Sequence, residues 1–353
     1  MRHSIVALAL AGALLGMTLG AQPYSARQST VEGLAVVELR DEAHHTVVSV
    51  APPVGNIAYQ MLVNGKNVFW FPEGPLAEFA VKPRMGGNPF LAPWANRIDG
   101  DAFYANGRKY QLNPDLGNLR RDPHQQPIHG LLLFSPLWEV VSLKADEQSA
   151  SVLSRLDFAR HADLIAQFPF AHVIEMEYVL RDGVLEVKTR LSNTGAQPMP
   201  VVIGYHPYFQ VHDAPRDSWT VHLAADRTWV LNDKLTPTGE TKPIEEIFPG
   251  AAALKLGDVT LDHVFGGLQR DAQGRARFSV QGVREKIDVV YGPKFNTAIV
   301  YAPKGRGEFI CFEPMTGITN AFNLAYRNLY KELSSVAPGE TWEESFWIEP
   351  SGF

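Results

Sequence analysis

The chain has 353 residues, 45% of them hydrophobic, and a formal net charge of -6 at pH 7. No basic stretch stands behind that charge, which argues against nucleic acid or an anionic membrane as partner and favours a small neutral ligand. The single cysteine, Cys311, excludes an intrachain disulfide and a multi-cysteine metal site, so stability must come from a large apolar core.

In chain order, Arg2 and His3, an apolar run over residues 5–19 and the small residues Gly20 and Ala21 read as an export signal over residues 1–21. About 15 apolar residues fall short of the ~20 that span a bilayer. The expectation is a cleaved signal, no membrane association afterwards, and an exported protein, periplasmic or secreted. Residue Gln22 follows, so no cysteine thiol is offered there for lipid attachment. Residues 22–353 read as one domain, because no low-complexity linker or internal repeat divides them. At roughly 330 residues that domain exceeds the usual single-core limit of ~250 to 300.

Strand patterns begin at residues 34–40 and 45–50 and resume at 138–143 and 151–158. The clearest follows: Ile174, Met176, Tyr178 and Leu180 alternate, Asp182-Gly183 intervenes, and Leu185, Val187, Thr189 and Leu191 alternate again. Asp-Gly supplies the positive φ angles of a two-residue hairpin turn. Further strands are expected at 219–223, 276–280, 287–291, 297–301, 308–312 and 344–348. At 321–336, Phe322, Ala325, Leu329 and Leu333 have helical spacing, and a helix and an irregular loop both fit. Many short strands without β/α alternation predict an all-β, antiparallel sandwich.

Several segments could carry chemistry. Residue Glu313 is placed at the end of an apolar strand by Pro314, a rim carboxylate able to face a ligand. Crowded by Tyr205, Tyr208 and Phe209, His206 is an imidazole that could titrate near neutral pH. A loop histidine, His129, precedes Gly130. In a Pro- and Gly-punctuated loop Arg97 offers a forked donor pair to sugar hydroxyls, with Asn96 beside it and Trp94 as a flat apolar face for a pyranose. Following a strand-like 259–261, Asp262 could accept from hydroxyls. Singly, each also reads as a structural residue: a turn-capping Glu, a core or loop His, an Arg in a surface ion pair, a turn Asp. No HxxxH or HxH pair, GxSxG, Walker loop or GxGxxG occurs, so no metal and no nucleotide cofactor are expected.

The order of the segments narrows the reading: GGNPFLAPWANRIDGDAFYANGRKYQL, then HG at His129, NTGAQPMPVVIGYHPYF, LDHVF and FEPMTGITNA. Together they resemble the aldose 1-epimerase (galactose mutarotase) family, from about residue 34 to 350. The resemblance implies a large antiparallel β supersandwich, no cofactor, and a small-molecule aldose as partner. It implies that Glu313 is the general base taking the anomeric hydroxyl proton and His206 the general acid at the ring oxygen. By the same resemblance His129, Arg97 and Asp262 bind and orient the sugar. A branch of the family acts on hexose 6-phosphates, and Arg84, Arg120 and Arg121 could form a phosphate cluster, but an exported protein seldom meets sugar phosphates, which favours a free aldohexose. Two rivals stay open: a non-catalytic carbohydrate-binding domain on the same fold, and a glycoside hydrolase using Asp262 with Glu313. Oligomeric state is not legible.

Overall fold

A computed structural model describes residues 22–353, and the expected export signal lies outside the described residues. The hairpin forms as its pattern requires. Strands His172–Arg181 and Val184–Asn193 bury every second residue, pair from Arg181↔Val184 to His172↔Asn193, and are joined by Asp182 and Gly183 with φ of 50° and 72°. The pair occupies the middle of a nine-stranded antiparallel sheet, whose neighbouring strand Thr341–Ser351 contains the expected 344–348 segment. A five-stranded meander, Tyr24–Val31 to Lys66–Asn67, starts the described chain, and its first strand, rich in polar residues, carried no sequence signal.

The second large sheet has eight strands. Its central members Thr297–Ala302 and Ile310–Met315 read as continuous apolar runs because both faces are covered. One face meets the nine-stranded sheet: the Phe278 and Phe312 rings lie 6.2 Å apart, and Tyr205 packs on Phe346 at 4.8 Å. This is the sandwich expected from the strand pattern, with one contiguous apolar core between the sheets. On the opposite face, register places Asp262, Tyr301, Cys311 and Tyr208 in a row across four adjacent strands, since each is the Cα partner of the next. Two residues beyond Cys311, Glu313 points the same way.

Two expectations need correction and a third, left open between helix and loop, is resolved. Residue Glu313 does not end its strand: the strand runs through Pro314 to Met315, so the carboxylate is interior and 1% exposed rather than at a rim. Likewise Asp262 lies inside the strand Leu261–Leu268, paired with Tyr301, and not in a turn. Of the 321–336 segment only Ala321–Tyr326 is helical, and Ser334–Val336 is a short strand paired with Met199–Val201.

Candidate active site

The sequence GYHPYF is not one continuous strand. Its Gly204 pairs with Met315 and its Tyr208-Phe209 with Cys311 and Ile310, leaving His206-Pro207 in the gap opposite Glu313. Pro207 cannot donate to a ladder, which suits that break. A Cβ on Gly204 would meet Met315 Cγ at 2.8 Å and Pro314 O at 3.0 Å, so only glycine allows the strands to close here. The His206 amide donates to Pro89 O at 3.0 Å and the Tyr208 amide to Gly87 O at 2.8 Å, fixing both flanks. The imidazole Nε2 consequently sits 3.3 Å from Glu313 Oε1. The ring stacks on Tyr208 with centroids 4.8 Å apart.

A second pair of segments delivers Arg97 and His129. The 92–98 and 127–130 loops are zipped by bridges Ala92↔Gly130 and Arg97↔Ile128 and by the His129 amide donating to Asn96 O at 2.9 Å. Both Asn96 and His129 adopt left-handed backbone, with φ of 56° and 65°. Next to His129, Gly130 is obligatory, because a Cβ there would lie 2.1 Å from Ala92 O. The imidazoles of His129 and His206 come to 5.5 Å, edge to face.

The Arg97 guanidinium is held rather than free. Its Nε donates to Asp122 Oδ2 at 2.7 Å and its Nη1 to Asn96 Oδ1 at 3.0 Å, while the Gln126 amide donates to Asp122 Oδ1 at 2.9 Å. Although burial opposes its ionisation, the Arg97 guanidinium and backbone amides hold the Asp122 carboxyl below its usual range. Asn96, expected to bind sugar, therefore spends its side-chain oxygen on Arg97, though it still lines the cavity.

These groups meet in one cavity of about 360 Å³, lined by Glu313, His206, His129, Arg97, Asp262 and Asn96, with Tyr208 and Tyr301 as its aromatic walls. Trp94 is not there. It is 1% exposed, packed in the core beside a backbone bridge to Val202, so it cannot offer a face to a pyranose. A larger depression, about 600 Å³, lies along 72–84 and contains none of these side chains; its lining includes Arg84, which is thereby separated from Arg120 and Arg121 at the acid-base cavity. Among the described residues no cluster of His, Cys, Asp and Glu is arranged to hold a metal ion.

Burial sets the charge state. It raises the Glu313 carboxyl well above the usual carboxylate range, a push that nearby Asp262 reinforces and Arg97 opposes. Burial likewise presses the His206 imidazole down to about 3, helped by the Arg120 and Arg97 charges, so it does not titrate near neutral pH as its sequence setting suggested. With His129 also well below its ordinary value through burial and the His206 and Arg120 charges, the resting site holds uncharged imidazoles. The Asp262 carboxyl is raised by burial against the pull of Arg97. Glu313 and His206, 3.3 Å apart beside a fixed guanidinium, are thus both pushed by burial toward their uncharged forms.

Sequence reasoning missed Asp122, Tyr208 and Tyr301. The signal for Tyr208 was present, two residues after His206 on one face of a strand; Asp122 showed only as an Asp-Pro turn start. Comparison with known proteins bears on the family and the fold. The family model described as Aldose 1-epimerase matches residues 43–349. The uncharacterized protein YphB of Escherichia coli K12 is 29% identical over 271 residues, 73% of this chain and 82% of that protein. Among solved structures, a galactose mutarotase-like protein from Clostridium acetobutylicum superposes with TM-score 0.82 at 18% identity, covering 94% of this chain and 99% of that one. Galactose 1-epimerase from Lactobacillus acidophilus NCFM gives TM-score 0.74 at 14% identity, covering 94% and 100%. These likenesses place the fold among galactose mutarotase-like supersandwiches.

Proposed function

Since the chain belongs to the aldose 1-epimerase family, we propose that it interconverts the α and β anomers of a free aldohexose by acid-base ring opening and reclosure. The observation that carries the reading is the buried His206–Glu313 pair, 3.3 Å apart on the floor of a polar cavity. Ring opening begins with carboxylate at Glu313 and imidazolium at His206. The Glu313 oxygen takes the proton of the anomeric hydroxyl, the C1–O5 bond breaks as C1–O1 becomes a carbonyl, and His206 delivers its proton to O5. Rotation about C1–C2 presents the other aldehyde face, and the reverse transfers close the ring in the opposite anomer.

Proton count makes this economical. Opening leaves protonated Glu313 and neutral His206, which is the uncharged resting pair that burial favours. Reclosure by the reverse transfers regenerates carboxylate and imidazolium, and the resting pair reaches that same state by moving one proton from Oε1 to Nε2 across 3.3 Å, without exchange with solvent. The guanidinium of Arg97, steadied by Asp122 and Asn96, and the His129 ring are disposed to hold the sugar oxygens.

The test is polarimetry of freshly dissolved α-D-glucose and α-D-galactose. Faster decay to the same final rotation supports the reading. Variants Glu313→Gln and His206→Asn should each lose most of the ~100- to 10,000-fold that a positioned acid or base contributes. Near-native rates in those variants would sink the role assignment, and decay at the buffer rate with the unaltered chain would sink the activity.

A further inference from the structure

The TNA of the late motif FEPMTGITNA takes no part in the proton transfers. The chain leaves the strand Ile310–Met315, which carries Glu313, and reaches Asn320 at the start of the helix Ala321–Tyr326. An asparagine at a helix N-cap ordinarily turns its side-chain oxygen onto the first amides of its own helix. Asn320 does not: its side chain makes no cap hydrogen bond, and its backbone is left-handed, with φ of 61°. Instead it grips the loop that carries Arg97 on both sides of Ile98. The Asn320 amide donates to Arg97 O at 2.8 Å, and its Oδ1 accepts from the Asp99 amide at 3.1 Å. The same oxygen accepts from Asn323 Nδ2 at 2.9 Å, and Asn323 Nδ2 also donates to Ala102 O at 3.1 Å, so the helix holds both ends of the 99–102 bend. The intervening Ile98 amide donates to Pro127 O at 2.9 Å, in the loop that leads to His129. Both asparagines are 3% exposed and neither lines the cavity, so neither is a sugar ligand itself.

We propose that Asn320 is a positioning residue that sets where the Arg97 guanidinium stands relative to Glu313, and so governs how tightly the sugar is held. The inference rests on the epimerase reading and adds to it a residue outside the cavity. Asp122 and Asn96 fix the guanidinium end of the Arg97 side chain, and Asn320 fixes the backbone from which it springs. A guanidinium that holds sugar oxygens away from the reacting bond binds the closed ring and the transition state alike, so misplacing it raises KM and spares kcat.

Asn320→Gly tests this in the full chain, because glycine keeps the left-handed backbone and the amide donor to Arg97 O and removes only the side-chain oxygen. The Asp99 amide and Asn323 Nδ2 then lose an acceptor, so KM for D-glucose and D-galactose by polarimetry should rise about tenfold while kcat stays within about twofold. If the glycine variant is insoluble, Asn323→Leu serves instead: it suits a helix interior, removes the donor that orients Asn320 Oδ1, and should raise KM by about threefold. In parallel, hydrogen exchange at the Arg97 Nε–H, followed by ¹⁵N NMR, should quicken in either variant, a readout that needs no activity. An unchanged KM in a folded variant, or a fall in kcat at constant KM, overturns the positioning role and leaves the epimerase reading standing. Acceleration of no sugar by the unaltered chain overturns the epimerase reading, and the Arg97 signal then decides the inference: unchanged exchange overturns it, and faster exchange upholds Asn320 as the support of Arg97.

Discussion

Replacing Asp122 by Asn perturbs the site without touching a group that handles a proton. The Asp122 carboxylate accepts from Arg97 Nε at 2.7 Å and from the Gln126 amide at 2.9 Å, and its side chain is 2% exposed against 13% for that of Arg97. A carboxamide presents one oxygen and one NH₂, so one of the two donors faces another donor and goes unpaired, while Arg97 loses its counter-charge. A buried donor left unpaired costs about 1 to 3 kcal/mol. That range is the expected loss of stability by urea unfolding, below the ~3 to 5 kcal/mol of deleting one partner of a buried pair outright, because Asn keeps the volume and one acceptor. If the guanidinium then loses a comparable share of its hold on the sugar, kcat/KM by polarimetry should fall roughly 10- to 100-fold, at 1.4 kcal/mol per factor of ten, chiefly through KM. An Asp122→Asn protein within about twofold of the parent in kcat/KM would refute the claim that Asp122 positions Arg97 for substrate.

Trp94→Phe should lower stability by about 1 to 3 kcal/mol, the smaller-volume end of aromatic core deletions, and leave KM unchanged, since Trp94 is buried away from the cavity; a raised KM with unchanged unfolding would restore it as a sugar platform. Gly130→Ala combines a φ of 68° with a Cβ 2.1 Å from Ala92 O, so a loss of about 2 to 4 kcal/mol is expected, visible as a lowered thermal midpoint or insoluble protein. The buried His172, stacked on Phe158, is pressed by burial to about 4. Its folded pKa lies below the unfolded ~6.5, so its contribution to stability is full above about pH 6.5 and is lost as pH falls toward 4. That amounts to about 3 kcal/mol from His172 alone, and His172→Gln should flatten the urea midpoint over this window. Because His206 is held near 3, its ring should not titrate near ~6.5 when followed by NMR in the free protein; a titration there would mean that the imidazole is solvated.

The sequence alone determined the local geometry and the family. Alternation at Ile174 to Leu191 with Asp182-Gly183 dictated a hairpin, because only that register buries one face and only positive-φ residues close that turn. Five ordered motifs carried the family, and with it Glu313, His206, His129, Arg97 and Asp262, all of which line the one cavity. Registers between strands far apart in sequence were not legible, since period-two patterns say which face a residue takes but not which strand lies beside it. That is why Glu313 read as a strand end and Asp262 as a turn. Trp94 was misread for the same reason: a flat apolar ring in a loop is equally suited to a sugar or to a core, and only the bridge to Val202 turned it inward. The partnership of Arg97 with Asp122, the row Asp262–Tyr301–Cys311–Tyr208 and the uncharged resting state of the His206–Glu313 pair were decided by tertiary structure, because hydrogen-bond partners and desolvation are properties of three-dimensional neighbourhood.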